Sequence, residues 1–251
     1  MKITLDLNKS IEENAAAYYE RVKKLKRKLE GAERVVEETG KKIDKLKKEQ
    51  LDEKEEKIDR KKEWYEKFRW FFSSEGILCI GGRDATTNEI IIKKHAEKDD
   101  LVFHTDMAGS PFFLTKGSPG EATIRECADA TVTFSKVWKL GMSSASVFYV
   151  NPEQVTKEAQ SGEYLPKGAF MIKGRTTYVD NKVNLAVGNY KGAIMAGPEE
   201  AVKAHCEKVI LLEQGKEKVS AVAKKIKRQV GGDLDEIIRV LPVGLFSIRR
   251  S

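Results

Sequence analysis

The sequence contains few cysteines and no long hydrophobic run. Its three cysteines, Cys79, Cys127 and Cys206, lie far apart and show no paired spacing. This number and spacing suggest neither a disulfide framework nor a zinc site. No apolar run approaches the roughly 18 residues that a membrane helix needs, and the N-terminal letters MKITLDLNKS lack the apolar core of a signal peptide. We therefore expect a cytoplasmic protein with reduced thiols and no membrane partner.

The chain is rich in charge but only moderately basic. Of its 251 residues, 40% are hydrophobic and 34% are charged, and the formal net charge is +7. Such a chain can bury the core of one ordinary domain and leaves residues for a solvated extension. A modest positive charge permits a polyanionic partner, provided that the basic side chains are segregated from the acidic ones.

Proline is absent from the first part of the chain, where the pattern predicts a long helical arm. All six prolines lie at or after Pro111, and 38 of the first 72 residues are charged. Apolar positions alternate there at spacings of three and four, which is the pattern of a coiled coil. They are Val22, Leu25, Leu29, Ala32, Val36, Thr39, Ile43 and Leu46, followed at sevens by Leu51, Ile58, Tyr65 and Phe72. Ser10 and Glu13 have the spacing of a helical capping box.

The break in phase between these two apolar runs predicts a turn. We expect residues 1–72 to form a coiled-coil arm, folded as an antiparallel hairpin with its tip at residues 47–53. Gly40 is a second candidate for the tip. A single long helix that pairs with another chain is the open alternative.

Residues 73–251 are predicted to form an α+β domain, with a mixed sheet and flanking helices. Apolar segments such as GILCI, DLVFHTD and SASVFYVN are punctuated by Gly, Pro, Asn and Asp, as strands are. Segments such as GEATIRECADATVTFSKVWKLG and GKEKVSAVAKKIKRQV have helical periodicity. Four aromatic residues at helical spacing are expected to root the arm on this domain, namely Trp64, Phe68, Phe71 and Phe72.

The segment GILCIGGRD places two glycines and an arginine at the end of a buried strand. Glycine permits a tight turn or a close backbone approach, so Gly81 and Gly82 are expected to turn the chain. Arg83 would then suit bidentate recognition of a phosphate, and Asp84 would either hold the guanidinium or cap a helix that begins near Thr86. The spacing matches neither a P-loop nor a dinucleotide-binding fingerprint, so a plain turn is the alternative.

Several blocks of the sequence resemble the NFACT-R domain of the NFACT proteins. They are WYEKFRWFFSSEGILCIGGRDATTNEIIIKK, DLVFHTDMAGSP, FSKVW and NPEQVTKEAQSGEYLPKGAFMIKGR, and DEIIRVLPVGLFSI resembles the end of the archaeal versions. The resemblance implies a coiled-coil arm followed by an RNA-binding domain. It also implies a factor of ribosome-associated quality control that engages the large ribosomal subunit with stalled peptidyl-tRNA and supports tRNA recruitment for untemplated tailing. Full-length members carry an NFACT-N domain before the arm, so this chain is expected to be a fragment or a stand-alone relative that does not elongate tails by itself.

The matched blocks, together with the chemistry of their side chains, give a set of expected site residues. Basic side chains are expected to contact RNA phosphates, and two flat rings to carry an unpaired base or ribose. The expected RNA-binding residues are Arg83, Lys136, Lys157, Lys173, Arg175, His104 and Tyr164. The expected structural and orienting residues are Gly81, Gly82, Asp84, Asn88 and Glu163. The expected partners are the large ribosomal subunit and tRNA or ribosomal RNA, and no cofactor is expected.

Two other functions are alternatives. His104 and Asp106, with Ser135 and Lys136 downstream, suggest a metal site or a Ser-Lys dyad, but no third metal ligand is apparent. We therefore expect neither a catalytic residue nor a metal. The other alternative is a docking module whose coiled coil binds a ubiquitin ligase or another quality control factor, and it predicts no RNA affinity.

Overall fold

The computed structural model describes residues 3–55, 60–158 and 165–249, and for residues 45–55 it describes the backbone alone. The chain divides into two units, Met1–Glu56 and Lys57–Ser251. The described part of the first unit is dominated by one long helix, and the second unit contains the sheets. This architecture confirms the predicted α+β class with a long N-terminal helix. None of the described helices combines the length and the apolar character required to cross a membrane.

The first unit contains helix α1, Ile11–Glu55. The predicted capping box begins it, because Ser10 N donates to Glu13 Oε2 at 2.8 Å and Glu13 N donates to Ser10 Oγ at 3.1 Å. α1 runs unbroken through Gly40 and through residues 47–53. The predicted hairpin is therefore wrong over the described residues, and the alternative of a single long helix describes them.

The reason for the unbroken helix lies in its composition. The segment has no proline, and one glycine costs a helix only about 1 kcal/mol. Ion pairs one turn apart, such as Glu37 with Lys41 at 2.7 Å, favour continuation of α1. Leu25 and Leu29 of the predicted seam are 56% and 60% exposed. The side chains of the later seam residues lie outside the described residues, namely Leu46, Leu51 and Ile58.

The end of the predicted arm is not helical. Tyr65 lies in a short 3-10 helix, Trp64–Lys67, and Phe72 ends a strand, Arg69–Phe72. The seven-residue spacing of these two aromatic residues therefore does not continue the seam of α1. Phe68 and Phe71 are fully buried, which confirms that they pack in the core, although Phe68 follows the 3-10 helix and Phe71 lies in the strand, so a single helix does not carry both.

The second unit is built from short antiparallel strands. In chain order they are β1 Arg69–Phe72, β2 Leu78–Gly81, β3 Leu101–Thr105, β4 Phe113–Thr115, β5 Val147–Val150, β6 Val155–Thr156, β7 Met171–Ile172, β8 Thr177–Val179, β9 Leu185–Tyr190, β10 Ala193–Gly197, β11 Val209–Lys218 and β12 Leu245–Ile248. One six-stranded sheet has the order β1-β2-β4-β3-β5-β8, and a four-stranded sheet has the order β10-β9-β11-β12. β6 and β7 form a two-stranded sheet.

Short helices connect and cover these sheets. They are α2 Ala85–Ile90, α3 Glu121–Thr133, α4 Lys136–Leu140, α5 Glu199–His205, α6 Val219–Val230 and α7 Leu234–Val240, and a π-helical turn, Ile91–His95, follows α2. α3 packs on β3 and β4, and α6 packs on β11.

The core of the second unit joins the two larger sheets. Phe71 of β1 packs against the ring of Phe113 with 6.4 Å between ring centroids, and Phe113 stacks on Phe134 at 5.9 Å. A Cβ added at Gly197 of β10 would lie 2.8 Å from the Phe71 ring, so the second sheet approaches β1 closely there. Burying one such side chain contributes about 1.5–3 kcal/mol. This core holds the end of β2, where the candidate site begins.

Candidate nucleic-acid interface

The double glycine at the end of β2 serves packing. A Cβ at Gly81 would lie 2.4 Å from the Phe113 ring, and a Cβ at Gly82 would lie 1.7 Å from Asn88 Oδ1. Neither glycine has a positive φ, and Gly82 N donates to Phe112 O at 3.0 Å, which continues the pairing with β4. The expected tight turn is therefore wrong. Side chains from neighbouring segments fill the space above both residues.

Asp84 and Asn88 hold the segment that follows. Asp84 is the N-cap of α2, and its Oδ1 accepts a hydrogen bond from Thr87 N at 2.8 Å. Of the two expected roles for Asp84, the structure shows the cap, on a helix that begins at Ala85. Asn88 is 8% exposed and accepts from Phe112 N at 3.2 Å, so it joins α2 to the segment before β4.

Arg83 is half-buried, and part of its guanidinium donates hydrogen bonds to backbone oxygens. Its Nη2 donates to Phe68 O at 2.8 Å and to Glu66 O at 3.3 Å, while its buried Nε has no partner among the described residues. Burial, followed by repulsion from Arg239, lowers the pKa of Arg83 to about 10. Arg83 remains charged at neutral pH.

Arg69 is a second, more deeply buried arginine, which was not among the residues predicted from the sequence. It is 9% exposed and lies over the Phe134 ring, with 4.4 Å between its Cζ and the ring centroid. Its Nη1 donates to Val240 O at 3.3 Å and to Leu241 O at 3.4 Å, both at the end of α7. Burial, with a smaller contribution from Arg83, lowers the pKa of Arg69 to about 9. No carboxylate of the described residues forms an ion pair with either arginine.

These two arginines line one cleft of about 460 Å³. Three segments enclose it, namely residues 82–88 at the start of α2, residues 108–112 before β4, and residues 166–172, which end in β7. Five of the sequence-predicted residues line it: Gly82, Arg83, Asp84, Asn88 and His104. The described lining also includes the aromatic residues Phe112, Phe134 and Phe170.

Two exposed lysines lie at the edge of this cleft. Lys136 lies over the 108–112 segment, because a Cβ at Gly109 would be 3.1 Å from its Cε and 3.3 Å from its Nζ. Lys167 lines the cleft and is exposed. Neither lysine forms an ion pair within the described part of the chain. Their ammonium groups are therefore available to an outside anion.

Lys157 is engaged within the protein. Its Nζ lies 2.7 Å from Glu89 Oε1 and 4.5 Å from the centroid of the Phe170 ring. The hydrogen bond from Lys157, followed by one from Gly168 N, lowers the pKa of Glu89 to about 2. Lys157 supports a side of the cleft, and its expected phosphate contact stays a prediction.

His104 is oriented by the protein. Its Nε2 lies 3.2 Å from Ser110 O, and its ring stacks on Phe112 with 4.2 Å between centroids. Burial lowers its pKa, so the ring is neutral at pH 7. Ser135 Oγ donates to Val132 O at 2.7 Å and caps α4, which gives that hydroxyl a structural role. Among the described residues, no group of three or more His, Cys, Asp or Glu could hold a metal ion.

The remaining expected residues lie away from the cleft lining or outside the described residues. Lys173 pairs with Glu158, and Arg175 is exposed, with only its backbone oxygen bound, by Gln154 Nε2 at 2.9 Å. Tyr164 and Glu163 lie outside the described residues. Their roles therefore stay predictions.

The cleft brings together cations that no carboxylate of the described residues neutralises through an ion pair. Comparison with known families identifies the NFACT protein RNA binding domain over residues 67–174. The chain is 44% identical over 193 residues to the archaeal Rqc2 homolog aRqcH of Methanocaldococcus jannaschii, which covers 72% of this chain and 29% of that protein. It is 35% identical over 174 residues to the ribosome quality control complex subunit NEMF of Homo sapiens, which covers 66% of this chain and 16% of that protein. The chain belongs to the NFACT family, as its sequence blocks indicate.

These matches cover part of the length of each curated relative. The chain spans less than a third of the length of these curated relatives. A solved structure, the C-terminal part of the fibronectin/fibrinogen-binding protein from Streptococcus suis, aligns with a TM-score of 0.39 at 18% identity, over 69% of this chain and 77% of that chain.

Proposed function

We propose that this chain is the RNA-binding and ribosome-binding part of a ribosome quality control factor. Its family supports this proposal, since the relatives named above are a ribosome quality control subunit and an archaeal Rqc2 homolog. Within that role the chain engages the large ribosomal subunit with stalled peptidyl-tRNA and supports the recruitment of tRNA. It acts by binding and performs no bond-making step of its own.

The observation that carries the proposal is the set of unpaired cations around one cleft. Among the residues that the structure describes, no carboxylate forms an ion pair with Arg69 or Arg83, or with Lys136 and Lys167 at the edge. Basic side chains that no acid neutralises attract a phosphate backbone, and such contacts position RNA without reading its sequence.

The test uses the two exposed lysines, because neither forms an ion pair with a described residue. We expect Lys136→Ala and Lys167→Ala each to weaken RNA binding to a similar degree for different sequences. Each lost phosphate contact on single-stranded RNA flattens the slope of log affinity against log salt by about 0.7. Arg125→Ala is the matched control, because Arg125 is exposed on α3 and does not line the cleft.

Ribosome engagement is measured by co-sedimentation with large subunits that carry peptidyl-tRNA. We expect both lysine variants to reduce the bound fraction while the control leaves it unchanged. Unchanged RNA and subunit binding in the Lys136→Ala/Lys167→Ala double variant at low salt, with the protein folded, would place the RNA surface elsewhere.

The exposed apolar seam of α1 favours a second candidate function, the docking of a protein. Leu25 and Leu29 are more than half exposed along a narrow stripe. We propose that this stripe binds a helix of another quality control factor, such as a ubiquitin ligase. Leu25→Asp/Leu29→Asp should then abolish binding of that partner and leave RNA binding by the second unit intact, and equal partner binding by the variant would refute this function.

A further inference from the structure

We propose that the cleft binds a single nucleotide of the RNA, with its phosphate against Arg69 and Arg83 and its sugar and base against Phe170. This inference rests on the proposed function, because it names the ligand of the same surface. It goes beyond general backbone attraction, since a built pocket holds one residue of the RNA in one orientation.

The first argument is the cost of the buried charges. Arg69 is almost fully buried, and Arg83 keeps a buried Nε without a partner. Buried charges are normally paired with opposite charges or bind a ligand, because an unpaired charge in a low dielectric is expensive. Two arginines that repel each other in one cleft therefore indicate a place for an anion.

The second argument is that the acidic groups near the cleft are committed to other partners. Asp84 caps α2 through Thr87 N. Glu89 binds Lys157 Nζ and Gly168 N. The carboxylate of Glu66 is held by Arg60, whose two Nη atoms lie 2.6 and 2.7 Å from its oxygens. None of these carboxylates forms an ion pair with Arg69 or Arg83, and the attraction of Asp84 for Arg83 is smaller than the effect of burial on that arginine.

The third argument is that hydrogen bonds within the protein use only some of the N–H donors of each arginine. Arg69 makes two long bonds, at 3.3 and 3.4 Å, to backbone oxygens, and Arg83 uses Nη2 alone for its two backbone oxygens. A guanidinium has five N–H donors in a planar fork that matches the oxygens of a phosphate. The unused Nη donors of the two forks would then bind the phosphate, because the Nε of Arg83 is itself buried.

The size and lining of the cleft favour a nucleotide as its ligand. Its volume of about 460 Å³ falls within the usual range for small-molecule sites. Phe170 is half-buried, with Lys157 over its ring, and gives the cleft an apolar surface beside the cations. A flat base or a ribose packs well against such a ring, as single-stranded nucleic acids do on aromatic side chains.

The experiment measures binding of AMP, adenosine and inorganic phosphate to the whole chain by calorimetry at low salt. We expect AMP to bind, phosphate to bind more weakly and adenosine not to bind. Arg69→Met should weaken AMP binding about tenfold to a hundredfold, as the loss of a charge-assisted hydrogen bond does. Arg125→Met removes the same charge outside the cleft and should leave AMP affinity unchanged.

Two further variants keep the test decisive if Arg69→Met fails to fold. Arg69→Lys retains a charge but loses the planar fork, so it should still weaken AMP binding. Phe170→Ala should reduce the preference for AMP over phosphate and leave phosphate affinity unchanged. AMP affinity equal to that of adenosine, or AMP affinity unaltered in the Arg69 variants, would overturn the inference.

The outcomes separate this inference from the proposed function. If AMP does not bind while RNA and large subunits still do, only the nucleotide pocket is wrong. If AMP binds and weakens in the Arg69 variants while RNA and subunits do not bind, the pocket stands and the proposed function fails.

Discussion

Replacing Gly82 with alanine should damage the fold through one neighbour, Asn88. A Cβ at position 82 would lie 1.7 Å from Asn88 Oδ1, far inside any tolerated contact. Asn88 is nearly buried and accepts the hydrogen bond of Phe112 N. The amide group must therefore move, which leaves Phe112 N without its acceptor.

Two costs follow from this displacement. A buried N–H without a partner costs about 1–3 kcal/mol, and overpacking costs about 1–3 kcal/mol more. We expect Gly82→Ala to lower the free energy of unfolding by about 4 kcal/mol. Asn88→Ala removes the acceptor without a clash and should cost about 2 kcal/mol. The double variant should cost little more than Asn88→Ala, because the side-chain obstacle is gone and the backbone N of Asn88, at 3.1 Å, is the next closest atom.

Urea unfolding followed by tryptophan fluorescence measures these four proteins, since Trp64, Trp70 and Trp138 all lie in the second unit. The expected coupling between the two positions is about 4 kcal/mol, well above the additivity error of distant sites. Gly31→Ala is the control, because a Cβ there meets no heavy atom within 4 Å. If Gly82→Ala costs the same with and without Asn88, the steric reasoning is refuted.

Three further predictions concern other parts of the second unit. Phe68→Ala should cost about 3 kcal/mol in urea unfolding, as truncation of a buried phenylalanine does, and a loss below about 1 kcal/mol would contradict its core position. Asp84→Ala should cost about 1 kcal/mol through the lost cap of α2, whereas Asp99→Ala, at an exposed site, should cost nothing measurable. Burial raises the pKa of Asp129 from 3.8 to about 6, so the carboxyl binds its proton more tightly in the folded state than in the unfolded state. The protonated carboxyl therefore stabilises the fold at low pH, and this contribution is lost as the pH rises from about 4 to 6. Asp129→Asn should remove that decline of about 3 kcal/mol, and an unchanged pH profile of unfolding would show that Asp129 stays ionised.

The features that could be predicted from the sequence depend on residues that lie close together along the chain. The capping box at Ser10 involves residues three apart, so the letters alone indicate it, and the cap at Asp84 was one of two roles that the letters left open. The strands of the domain and the burial of Phe68 and Phe71 follow from local apolar pattern. The hairpin failed for a physical reason, because a break in heptad phase is not a break in the helix when no residue stops it.

The cleft could not be read from the sequence in the same way. Arg69 looks like part of a charged arm, and its partners Val240 and Leu241 are 171 and 172 residues away. Lys167 lies within a block in which Lys157 and Tyr164 were predicted to bind RNA, and the fold brings Lys167 beside the start of α2. An arginine between aromatic residues of a strand, as in FRWFF, is the one local signal that could have indicated Arg69.

The ion pair between Lys157 and Glu89 affects how salt acts on this protein. Glu89 Oε1 accepts from Gly168 N at 3.1 Å, so the same carboxylate anchors the 166–172 side of the cleft to α2. The side chains of Lys157 and Glu89 are 28% and 20% exposed, so dissolved ions reach and weaken the pair. Raising the ionic strength should then loosen this attachment as well as screen the RNA. A count of phosphate contacts taken from the salt slope would therefore be too high.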